Sequence, residues 1–101
     1  MDKLERQAQL TKEFQEGRQA KNLLENPAFS RAVEKLESSY IKAIKRGNWL
    51  DFNNGVNVGK RAREENCRRL QILDDLITNL KNEMNRGEEA LKRLEVNNGH
   101  K

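Results

Sequence analysis

One proline, Pro27, interrupts 101 residues, and on both sides of it apolar residues recur at spacings of three and four. That rhythm belongs to the α-helix, whose faces repeat every 3.6 residues. Strands need runs of alternating polarity, and no such run is long enough here. The chain is therefore expected to be all-α. Charged residues make up 36% of it, too many for a membrane-spanning segment, so no membrane is expected as a partner.

Asn26 precedes the proline, and Asn before Pro reads as an N-cap followed by the first helical position. A helix over 27–46 follows, its stripe formed by Phe29, Val33, Leu36, Tyr40 and Ile44. Lys45 and Arg46 suit a C-terminal turn, and Gly47 reads as the left-handed stop. The next segment, 47–59, is rich in Asn and Gly and reads as a loop, with a brief strand conceivable at 56–58. A second helix is expected over 58–86. Its rhythm continues past Gly87 to Leu91 and Leu94, so that glycine is either a stop or a tolerated weak point. The two helices form an antiparallel hairpin of unequal arms, about 30 Å against about 50 Å if the longer one runs through.

An additional N-terminal helix is expected over 2–24, where Leu10, Phe14, Gly17, Lys21 and Leu24 share a thin face. It either completes a three-helix bundle or pairs with another copy in an oligomeric assembly. Residues 1–95 read as a single helical domain and 96–101 as a disordered tail. Two-helix cores are small, and small cores often rely on association. A homo-oligomer is therefore expected, with Leu76, Leu80, Met84, Leu91 and Leu94 as its self-association surface.

Charge is uneven. Between 41 and 63 the basic residues are Lys42, Lys45, Arg46, Lys60, Arg61 and Arg63, against one acid, Asp51. A hairpin gathers them at one end, beside Trp49 and Phe52. These eight, Asp51 excepted, are the expected contacts to a partner or to nucleic acid, with cations on phosphates and rings on bases. The alternative is that Trp49, Leu50 and Phe52 fold inward and plug the end of the hairpin.

No catalytic residue, cofactor or metal is expected. The glycines fall singly, so no phosphate-cradling loop forms. Cys67 and His100 are the only residues of their kinds, too few for a zinc site. The first residues lack an apolar signal region, and a free cysteine suits a reducing compartment.

The run Leu23-Leu24-Glu25-Asn26-Pro27-Ala28-Phe29, with Arg63-Glu64, Leu70, Leu73-Asp74, Leu76, Leu80 and Gly87, resembles small helical proteins of tailed bacteriophages and their prophages. The likeness covers about 20–87 and departs at the Asn53-Asn54-Gly55 loop. It implies a helical hairpin and a phage accessory role in virion assembly or DNA packaging. Other phage structural proteins would then be partners, in the virion or the host cytoplasm. Nucleic-acid binding and inhibition of a bacterial protein are the other roles expected of such a chain.

Overall fold

The computed structural model describes residues 2–55 and 58–99, and shows three helices and no strands among them. α1 spans Lys3–Glu25, α2 spans Pro27–Asn54 and α3 spans Lys60–Gly99. The all-α hairpin with an extra N-terminal helix is the observed fold. Packing divides it into two units. One joins Met1–Asn26 to Ile77–Lys101, and the other is Pro27–Leu76.

α1 begins at an N-cap, Asp2, whose carboxylate accepts the Glu5 N–H at 2.8 Å. That bond satisfies one of the orphan donors of the first turn. α1 ends because Asn26 precedes proline, which disfavours helical geometry and leaves Asn26 extended (φ −71°, ψ 121°). One residue then separates two helices, as the Asn-Pro pair predicts.

α2 does not stop at Gly47. It runs seven residues further, to Asn54, and Lys45 and Arg46 lie in its interior. The stop is Gly55, whose φ of 107° only glycine adopts without strain. Its N–H still donates to the Asp51 carbonyl at 3.1 Å. The expected device is present, at the next glycine along. The strand considered at 56–58 falls mainly outside the described residues, and Val58 itself lies in a turn.

α3 is unbroken for 40 residues, about 60 Å, and passes through Gly87. It also continues to Gly99, beyond where the tail was expected to begin. His100 lies outside the described residues. The long arm is shared: 60–76 packs with α2, and 77–99 packs with α1. The first helix thus covers the surplus length of the hairpin.

In the α1 unit the helices run antiparallel and meet at two glycines. A Cβ on Gly17 would lie 2.6 Å from the Gly87 Cα, and one on Gly87 would lie 2.7 Å from the Gly17 Cα. Both distances are impossible for real atoms in contact, so each site requires the missing side chain. Each helix carries leucines seven residues before and after its glycine: Leu10 and Leu24, Leu80 and Leu94. An antiparallel crossing at the glycines sets Leu10 level with Leu94 and Leu24 level with Leu80. Leu10, Ala20 and Ala90 are the buried apolar residues of this unit among those described.

Candidate functional site: polar latch, groove and basic helix face

The second unit also closes on a glycine pair. Gly47 and Gly59 are both buried, and a Cβ on Gly59 would coincide with the Gly47 backbone. Around that contact the bonding is polar. Asp51 accepts the Gly59 N–H on Oδ1 at 2.6 Å, and Arg63 Nη1 donates to Asp51 Oδ2. The same Nη1 reaches the Gly47 carbonyl at 3.3 Å. Asp51 thus joins the last turns of α2 to the first turn of α3. The Gly59 N–H, together with the Arg63 guanidinium, holds its carboxyl below the usual carboxylate range.

One turn on, Asn66 is buried and satisfied. Its Nδ2 donates to the Ala62 carbonyl at 2.7 Å, and its Oδ1 accepts from Arg69 at 3.1 Å. Leu73 is the buried apolar residue of this unit among those described. No buried side-chain nitrogen or oxygen among the described residues lacks a partner.

These bonds sort the expected basic residues. Arg63 is engaged in the latch and is three-quarters buried, so it is a structural residue and not a free contact. Lys60 and Arg61 are exposed but pair with Glu64 and Glu65, one turn ahead, at 3.9 and 3.2 Å. Lys42, Lys45 and Arg46 are exposed and form no ion pair among the described residues. Trp49 is 61% exposed and Phe52 87%. The inward plug is therefore overturned: α2 continues as a helix and carries both rings on its outside, while Leu50 is half-buried.

The residues expected for self-association divide between the units. Leu76 lies in the α2 unit and is 47% exposed. Leu80, Met84 and Leu94 are half-buried in the α1 unit, where Leu91 is exposed. Beside the Gly17–Gly87 crossing runs an open groove, with Phe14, Met84 and Leu91 as its apolar lining and Arg18, Lys21 and Glu88 on its rim. Phe14 was not among the expected contacts, although its place three residues before Gly17 on the same stripe is the signal for it.

Cys67 is exposed. Among the described residues no three His, Cys, Asp or Glu side chains converge as a metal site would require, and no helix is long and apolar enough to cross a membrane. Comparison with protein families, with known proteins and with solved structures gives no match.

Proposed function

We propose that this chain is a non-catalytic assembly subunit that associates with copies of itself through its helical faces. One observation carries the reading. Leu10, Ala20, Leu73 and Ala90 are the buried apolar residues, while Leu36, Ile72 and Leu76 remain 44%, 63% and 47% exposed. Large apolar side chains left this exposed favour a partner, and the α1-unit groove supplies a receptive surface of mixed apolar lining and charged rim.

The resemblance of the Leu-Leu-Glu-Asn-Pro run at 23–27 to small tailed-phage proteins supports a phage setting for this assembly. In that setting the subunit serves virion assembly or DNA packaging, alongside other phage structural proteins, in the virion or the host cytoplasm.

Light scattering coupled to size exclusion, at about 0.1 M and 1 M salt, tests the association, because charge screening differs greatly between the two. A defined oligomer at both salts is expected, since apolar contacts do not weaken with ionic strength. Leu91→Glu should shift it toward monomer while leaving helicity intact. A monomer at both salts overturns the reading.

A further inference from the structure

Beyond self-association, and independent of it, the outer face of α2 has the chemistry of a polyanion site. Arg31, Lys35, Lys42, Lys45 and Arg46 recur at helical spacing along it. At 100° per residue they fall, with Trp49 and Phe52, in an arc roughly 120° wide on the side of the helix opposite Gly47. Gly47 marks the side packed on α3, so this arc faces away from the unit's interior. All seven residues are exposed. From Arg31 to Phe52 the stripe extends about 32 Å along the helix.

Two contrasts bear on this face. Lys12, Lys60, Arg61 and Arg93 each have a glutamate one turn away as an ion-pair partner, although cations outside ion pairs also occur elsewhere among the described residues, Arg18, Lys21 and Lys81 being examples. None of the five cations on the α2 arc pairs with a carboxylate among the described residues. One carboxylate, Glu34, lies at the edge of the same arc and shares a shallow depression with Arg31, Lys35 and Lys42. The second contrast is the rings. Solvation accounts for exposed lysine and arginine, but it does not account for an indole 61% exposed and a phenyl 87% exposed at one end of a cationic row.

We propose that this face binds single-stranded nucleic acid, its cations tracking the phosphates and Trp49 and Phe52 stacking on unpaired bases. Cations alone would suit a duplex equally well. The rings decide for the single strand, because only unpaired bases offer their flat faces for stacking. The serine between the cations, Ser38, is exposed and adds a neutral hydrogen-bond donor to the row.

Trp49 is the only tryptophan, so its fluorescence reports this face directly. The full-length chain is titrated with a 20-nucleotide oligothymidylate from 50 to 300 mM salt. Quenching of Trp49 is expected. Neutralising five phosphates gives a slope of log K against log salt of about −3.5. Replacing both Lys42 and Arg46 by Gln should flatten that slope to about −2. Phe52→Ala should weaken binding roughly tenfold while keeping the reporter. Circular dichroism and light scattering confirm that each variant keeps the parent's helicity and assembly state. Absence of quenching at 50 mM salt overturns the proposal. So does a duplex of the same length that binds as tightly without quenching. A blue shift on phosphatidylserine vesicles, without oligonucleotide binding, overturns it in favour of a lipid surface.

Discussion

Both packing units close on a pair of glycines, yet they are finished by different chemistry. At Gly17 and Gly87 the flanking groups are leucines and alanines, and the crossing holds by apolar burial and close backbone approach. At Gly47 and Gly59 they are Asp51, Arg63, Asn66 and Arg69, joined by named hydrogen bonds. Helix packing needs small residues where backbones touch, but the source of cohesion around them is free to vary. No ion pair joins the two helices of the apolar crossing among the described residues, whereas the polar one depends on a carboxylate remaining ionised.

The largest effect belongs to the apolar crossing. Gly87→Leu places a side chain where the Gly17 backbone lies and should cost about 3 kcal/mol, read from urea unfolding followed by circular dichroism. Gly59→Ala is the matching change in the polar unit. The added methyl meets the Gly47 backbone but brings none of leucine's further atoms, so about 2 kcal/mol is expected. Equal costs for the two would mean that the further atoms of leucine at 87 find room beside α1.

Acid sharpens the contrast. Because the carboxyl of Asp51 is held below its ordinary value of 3.8, its contribution is complete above about pH 4. It disappears as pH falls further, through the lowered folded-state value. The parent should therefore lose stability below about pH 4 faster than Asp51→Asn, the difference between their unfolding midpoints reporting this group. Parallel curves would remove Asp51 from the latch. The smallest effect is expected at Glu65→Gln, which breaks an exposed ion pair with Arg61 and should change stability by no more than about 0.5 kcal/mol.

What the sequence disclosed follows the range of the interactions involved. The Asn26–Pro27 junction was legible because proline restricts its neighbour through bonds that are always present. Gly47 was misleading for the opposite reason. Lys45-Arg46-Gly47 is locally indistinguishable from a helix end, and the group that explains the glycine is the backbone of Gly59, across a loop. A signal for the other crossing did exist: Leu10, Gly17, Leu24 and Leu80, Gly87, Leu94 repeat the same seven-residue spacing in two segments. Arg63 read as one of several loop cations because nothing in its neighbourhood reveals that Asp51, twelve residues earlier, accepts from it. The alternative of an inward plug followed from the same error, since a helix ending at Gly47 would have released Trp49 and Phe52 to turn inward.

A helix that serves two packing units has a kinetic consequence. Starting an isolated helix is costly, because several residues must be ordered before the first hydrogen bond forms. If α1 leaves its partner, residues 77–99 need not pay that cost again. They extend from a stretch of α3 that α2 still holds, so they regrow by adding one bond at a time. Amide exchange in 77–99 should then report brief, shallow openings, while the first turns of α1 exchange as a segment that has to start anew each time it docks.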